Sequence, residues 1–568
     1  MNSDTQGHDL SRATLHGSLA DPALDSMNFL NEVASRYPEA ISFASGRPYE
    51  SFFDTALIQK YLETFVRYLK DEKGCNDAQV NQIIFQYGRT KGIIHELVAR
   101  QLARDEEMRV DPEAIVVTVG CQEAMFITLR ALRSDERDIL LAVSPAYIGI
   151  TGGARLVDMP VWPVRSGPSG IDLDDLAAQI RQARKAGLRP RACYVMPDFA
   201  NPSGVSLTVQ LRRDLLALAA SEHILLLEDN PYGLFHDGAH LPTLKALDTS
   251  RQVVYLGSFA KTGFPGARVG YAVADQRVAA GDGSVSLLAD ELAKLKSMVT
   301  VNTSAVAQAV VGGKLLRHDL SMAAANQRET TVYLENLKHL LAGLGQRFPD
   351  GDVSWNCPSG GFFVVVTLPF AADDKLLERS AREYRVLWTP MSHFYARGEG
   401  LRQVRLAYSQ LTPELIETGL DRFAAFVTDQ GHDMAGAGKL ARPPATRPPL
   451  KAGQWATSGV DRRLGSRRQP LKARRGLRRA ARRGEGGAHH SGRRPVGRVT
   501  EQGEHGGAQL VRPHPVEVLP DARADPDDVR RVDRLVTGER SDDERNRVAQ
   551  RLRHRVQAAV ADHHVHLR

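Results

Sequence analysis

Five short apolar runs follow one another between residues 115 and 258: IVVTVG (115–120), DILLAV (138–143), RACYVMP (191–197), HILLLED (223–229) and QVVYLGS (252–258). Amphipathic stretches separate them, among them CQEAMFITLRALR (121–133) and LTVQLRRDLLALAASE (207–222). Strands that are apolar on both faces and alternate with helices leave few choices of fold. The pattern predicts an α/β architecture: a large domain with a mostly parallel sheet sandwiched by helices, and functional residues just beyond the carboxyl ends of the strands. Past about residue 300 the rhythm changes. A long helical stretch (304–344), broken at Gly312-Gly313, leads to GGFFVVVTLP (360–369) and a closing helix, TPELIETGLDRFAAFVTD (412–429), which predicts a smaller α+β C-terminal domain. The first clear helix is TALIQKYLETFVRYLKD (55–71), and the arm before it, rich in Gly, Pro and aromatics, reads as irregular.

Charge divides the chain differently. The 568 residues carry a net +7, but residues 430–568 hold 27 Arg and 3 Lys against 16 acidic residues, a balance of +14, so residues 1–429 carry −7. The 430–568 segment has no Phe, Tyr, Ile or Cys and one Trp, Trp455. Such a composition cannot bury enough apolar surface to offset chain entropy, so this tail is expected to be disordered. Its vocabulary of Arg, Ala, Gly and Pro is also what a shifted reading frame yields in a GC-rich gene. Cys75, Cys121, Cys193 and Cys357 lie far apart with no CxxC spacing, which argues against a disulfide framework or zinc ribbon and for a reducing compartment. No metal site is expected. The polar start MNSDTQGHDLSRATLHGS and the lack of an eighteen-residue apolar run predict neither export nor membrane spanning, hence a cytoplasmic protein.

Four motifs fall at strand ends. In GSFAKTGFPGARVGY (257–271), Ser258 ends a strand, Lys261 follows three residues later, and Arg268 lies seven beyond it in a Pro-Gly turn. This suits an amine held beside a phosphate: the hydroxyl and the guanidinium fork bind oxygens while the amine attacks an aldehyde. Taken alone it is equally a surface lysine in a polar turn. In LLLEDNPYGLF (225–235), Asp229 ends a strongly apolar strand, where an unpartnered carboxylate costs several kcal/mol. A buried cation would offset that cost, a pyridinium nitrogen being one candidate, with Tyr232 in reach of the same ligand; capping of the next turn is the other reading. In PDFANPSG (197–204), the Asn201 amide can donate to a phenolate oxygen or simply make a turn. In VTVGCQEA (117–124), a strand passes through Gly120 into a helix whose first amides, at Cys121, Gln122 and Glu123, are free for an anion.

Their order, with Tyr147 in SPAYIG between the first and the Asn-Pro-x-Gly turn, resembles the fold-type I pyridoxal-phosphate enzymes, specifically the class I/II aminotransferases and their aminoadipate and kynurenine aminotransferase branch. The resemblance covers about residues 24–428. It implies pyridoxal 5′-phosphate as cofactor, with Lys261 bonding its aldehyde and moving the substrate proton. It further implies Asp229 at the pyridine nitrogen, Asn201 and Tyr232 at the phenolate oxygen, and Tyr147 stacked on the ring. Gly120, Cys121, Gln122, Ser258 and Arg268 would form the phosphate cup. Arg405, in QVRLAYS, would bind the substrate α-carboxylate, with Gly46 and Asn201 also near the substrate. Tyr87, in FQYGRTKG, would reach the phosphate of a neighbouring subunit, implying a homodimer with shared active sites. The implied domains are an arm (1–54), a large cofactor-binding domain (55–300), a small C-terminal domain (301–429) and the tail (430–568).

The sequence also departs from the family. Cys121 stands where many relatives carry Ser. Arg47 and Tyr49 are extra polar groups in the arm that either read a polar substrate side chain or face solvent, and residues 392–400 lack the usual Pro-Gly. The arm, FQYGRTKG and VTVGCQEAMF are most similar to the dihydroxyphenylglycine transaminases of peptide-antibiotic assembly, which implies an arylglyoxylate acceptor; the residues alone support only an α-amino acid and a 2-oxo acid. Three rivals stand beside this reading. A lyase, decarboxylase or synthase could share the scaffold. A transcription regulator would need a DNA-binding module before residue 24, where two dozen residues are too few. Nucleic-acid binding through the basic run 462–484 would weaken steeply with salt and is not expected.

Overall fold

The computed structural model describes residues 10–436, apart from 239 and 397. The predicted disorder and frame shift of the tail, and any binding through its basic run, lie beyond the described residues.

Eight strands form the main sheet, in the spatial order Ile115–Thr118, Gly270–Val273, Val253–Ser258, Leu225–Asp229, Arg189–Val195, Asp138–Ser144, Val161–Gly167, Gly170–Ile171. The five from 253–258 to 161–167 are mutually parallel, and Gly270–Val273 runs antiparallel to both its neighbours. All five apolar runs are therefore strands. They are apolar throughout because both faces are covered. Leu140, Ala142 and Leu227 pack into one core, while Ile139, Leu141 and Leu226 pack on the other face against Leu176, Ile180 and Leu215. Burying such side chains contributes about 1.5–3 kcal/mol each.

A second, antiparallel sheet is ordered Ser354–Trp355, Phe363–Thr367, Gln403–Ala407, Thr389–Pro390. Its register sets Arg405 opposite Val365 on one side and Thr389 on the other. The helices Gln327–Arg347 and Pro413–Gly436 pack together, and Phe362, Phe363, Leu406 and Phe423 continue the same core that covers one face of the main sheet.

Two expectations are corrected. The arm is not irregular throughout: Pro22–Arg36 is a helix, with Pro at its first position, Asp25 in its first turn, Arg36 in its last and Val33 buried. Gly312-Gly313 does not break the helical stretch, because the helix Ala305–Arg317 runs straight through it. A Cβ on Gly313 would collide with the Tyr61 carbonyl, and one on Gly312 would lie 2.8 Å from the Phe65 ring. The glycines are there so that the helix Thr55–Asp71 can lie against this one. The break comes later, where Asp319 and Leu320 turn left-handed (φ 50° and 62°) before Met322–Ala325 and Gln327–Arg347.

Candidate active site

The strand ends converge on one cavity of about 260 Å³. Cys121, Gln122, Tyr147, Asn201, Asp229, Tyr232, Ser258, Lys261, Arg268, Arg405 and Gly46 all line it. Gly120 sits just behind Arg268: it opens the helix Gly120–Leu132 at φ 72°, and a Cβ there would strike the guanidinium. Tyr87 is the exception. It lies outside the cavity and is 85% exposed.

Asp229 is buried at the last position of its strand, and both carboxylate oxygens are already engaged. The Tyr194 hydroxyl donates to one at 2.6 Å, and the Cys121 thiol approaches the other at 3.5 Å. Burial pushes the carboxyl up to about 6, with these two donors opposing it. The same burial, with Asp229 beside it, holds the Cys121 thiol well above its ordinary range.

Lys261 lies in the short helical turn Phe259–Thr262, with Nζ donating to the Gly46 carbonyl at 2.7 Å. Burial first, then the charges of Arg405, Arg268 and Arg47, bring its amine down to about 8. At pH 7 about a tenth of the amine is then neutral, against a few parts in ten thousand for an ordinary lysine. A lowered lysine pKa means that the unfolded chain holds more protons between pH 8 and 10.5, so this group adds stability as pH rises through that window. Capture of an aldehyde by the apoprotein is therefore expected to quicken with pH about a midpoint near 8, in stopped-flow absorbance. A midpoint near the ordinary lysine value of 10.5 would contradict the burial argument.

Arg405 is buried in the second sheet. Its Nη1 donates to Asn201 Oδ1 at 2.6 Å, and its Nη2 donates to the Ala44 carbonyl at 2.8 Å and to Thr389 Oγ1 at 3.3 Å. Nε is buried without a partner among the described residues, and the guanidinium lies 4.3 Å from the Phe363 ring centre and 5.0 Å from that of Phe394. Burial lowers it to about 10. A buried cation with spare donors fits an incoming carboxylate. Burial also raises the phenols of Tyr147 and Tyr232, keeping both as neutral donors.

Sequence reasoning passed over Tyr194, the Ala44 carbonyl, Thr389, Phe363 and Phe394. Only Tyr194 carried a signal: a phenol inside a strand buried on both faces must find a partner, and the adjacent strand ends in Asp229. Residues 392–400, left open by the sequence, begin in the turn Met391–Phe394, which closes one side of the cavity with Phe394.

The description "Aminotransferase class I and II" matches residues 31–423. The chain belongs to this family. The aminotransferase is 56% identical over 421 residues to the (S)-3,5-dihydroxyphenylglycine transaminase of Amycolatopsis orientalis, covering 74% of this chain and 95% of that one. It is 30% identical over 391 residues to the 2-aminoadipate transaminase of Thermus thermophilus, covering 68% and 89%. Among solved structures, the α-aminoadipate aminotransferase of Thermus thermophilus, complexed with N-(5′-phosphopyridoxyl)-L-leucine, superposes with a TM-score of 0.60 at 27% identity, covering 74% of this chain and all of that one.

The cofactor is pyridoxal 5′-phosphate, and the donor set fits it. The helix Gly120–Leu132 opens with no side-chain cap, and the Arg268 guanidinium beside it has no partner among the described residues, so both are free for a phosphate. A buried carboxylate and a lysine of lowered pKa face the same space. Among the described residues no cluster of His, Cys, Asp and Glu could hold a metal, and no helix is long and apolar enough to cross a membrane.

Proposed function

We propose that this aminotransferase transfers an amino group from an α-amino acid to an arylglyoxylate, as a step in making a non-proteinogenic amino acid of the dihydroxyphenylglycine type for peptide-antibiotic assembly. The 56% identity to a transaminase of that name, across 95% of its length, carries the substrate reading. The cavity supports the residue roles. When bound, the cofactor supplies an aldehyde for the substrate amine and a ring that takes up electrons from Cα.

The rest is the work of the chain's own groups. Lys261 offers an amine already partly deprotonated at neutral pH and moves the proton from Cα. Asp229, a carboxylate fixed by Tyr194, would pair with the ring nitrogen. Asn201 and Tyr232 would donate to the phenolate oxygen, and Tyr147 would stack on the ring. Gly120, Cys121, Gln122, Ser258 and Arg268 surround the phosphate. Arg405 holds the α-carboxylate, with Asn201 and Gly46 beside it, which favours loss of the Cα proton over loss of carbon dioxide. Tyr87, exposed together with Phe85 (79%), reaches a second copy of the chain in a homodimer.

The purified protein with pyridoxal phosphate, 3,5-dihydroxyphenylglyoxylate and L-glutamate, L-phenylalanine or L-tyrosine is expected to yield dihydroxyphenylglycine, read by chromatography. Faster turnover of 2-oxoadipate would replace the arylglyoxylate reading with the aminoadipate one. The division at 1–54, 55–300 and 301–429 belongs to the same proposal. A chain ending at Gly436, the last residue of its closing helix, is expected to keep activity within about twofold, since the described residues that line the cavity end at Arg405.

A further inference from the structure

Outside the cavity lining, one set of side chains joins three distant segments. Ser26, in the arm helix Pro22–Arg36, places Oγ 2.8 Å from Nδ1 of His393. The other ring nitrogen, Nε2, lies 2.7 Å from Oδ1 of Asp374, the first residue of the helix Asp374–Arg379. A carboxylate only accepts, so Nε2 carries the proton toward Asp374, and Nδ1 pairs with the Ser26 hydroxyl, which can donate or accept. The imidazole is nearly enclosed, 12% exposed, with the Phe29 ring 5.8 Å away.

The turn that carries His393 also builds the surroundings of Arg405. Phe394, the next residue, sets its ring against the guanidinium, and its carbonyl accepts the Ala146 amide at 2.9 Å, one residue before Tyr147. Thr389, two residues before this turn, accepts from Arg405 Nη2. The arm reaches the same guanidinium independently through the Ala44 carbonyl.

We propose that the Ser26–His393–Asp374 chain is a positioning device for Arg405: it fixes the turn Met391–Phe394 between the arm helix and the helix Asp374–Arg379, and so sets affinity for the substrate α-carboxylate. This rests on Arg405 as the carboxylate ligand proposed above. His393 touches no reacting atom and acts through Phe394. Losing one such hydrogen bond is expected to raise KM about three- to tenfold.

The test uses the holoenzyme, checked for retained cofactor by its absorbance. The fastest donor among L-glutamate, L-phenylalanine and L-tyrosine is compared with its own α-carboxamide, which lacks the charge that Arg405 recognises. Ser26→Ala and His393→Ala are each expected to raise KM for the acid about three- to tenfold, with kcat within about twofold and the amide unaffected. The double variant is expected to be no worse than His393→Ala, and His393→Gln, which keeps an amide donor and acceptor, to recover part of the loss. Equal effects on acid and amide, or single effects that multiply in the double variant, would overturn the proposal. Arg405→Gln separates the two readings. If it leaves the acid-over-amide preference intact, the carboxylate reading falls and takes the relay with it. If it abolishes the preference while the Ser26 and His393 variants do not alter it, only the relay falls.

Discussion

Lys261→Ala is expected to abolish transamination, with turnover down by about 10³-fold or more. The loss combines two roles in one atom. In the proposed mechanism Lys261 Nζ is both the nucleophile that captures the aldehyde and the base that moves the Cα proton, and positioned acid–base catalysis alone is worth about 10²–10⁴-fold. No neighbouring cation can take over. The other cations lining the cavity, Arg47, Arg268 and Arg405, are guanidiniums, which stay protonated and cannot act as bases at neutral pH. The measurement is a single-turnover experiment in which the absorbance of the bound cofactor is followed after adding amino acid. Turnover by Lys261→Ala within about tenfold of the parent would remove Lys261 from the mechanism. Adding a small primary amine to the variant is expected to restore part of the rate, because the cavity left by the side chain admits one.

Asp229→Asn is expected to cost about 10- to 10³-fold in kcat. A carboxylate beside a ring nitrogen raises that nitrogen's pKa by about 1–3 units, and each unit is a factor of ten in the protonated ring that withdraws electrons from Cα. Asparagine keeps the shape and one oxygen to accept from Tyr194, so the loss reports charge and not packing. Without the cofactor, burial raises the Asp229 carboxyl to about 6, so the apoprotein gains stability from this group as pH falls through 6 toward the ordinary value of 3.8. Asp229→Asn removes that dependence, and the thermal midpoint of the apoprotein is expected to be flatter between about pH 4 and 7 than in the parent. An unchanged kcat in the variant would mean that the ring is protonated by other means.

Much of the cavity was legible because strands buried on both faces announce themselves as unbroken apolar runs, and because a parallel sheet collects its polar residues at one end. Asp229, Ser258, Lys261 and Asn201 could be placed on that logic. What escaped notice did so for separable reasons. The helix Pro22–Arg36 was hidden by the aromatic and proline-rich chain around it. Gly312-Gly313 read as a breaker because its purpose, contact with Tyr61 and Phe65, lies in another helix. Thr389 reaches Arg405 through strand register, which depends on pairing between separate stretches of the chain. The carbonyls of Ala44 and Gly46 had no side-chain signature at all.

Those two carbonyls have an evolutionary consequence. They accept hydrogen bonds from Arg405 and Lys261, and every amino acid offers the same carbonyl, so no substitution at 44 or 46 removes the accepting group itself. Mutation reaches them only by bending the arm, as a side chain at Gly46 would by meeting the Phe363 ring at 2.5 Å. A designer wishing to move either contact from the arm must change the path of its backbone, through insertions, deletions or proline, whereas a change of residue there acts on Lys261 through charge, as Arg47 does.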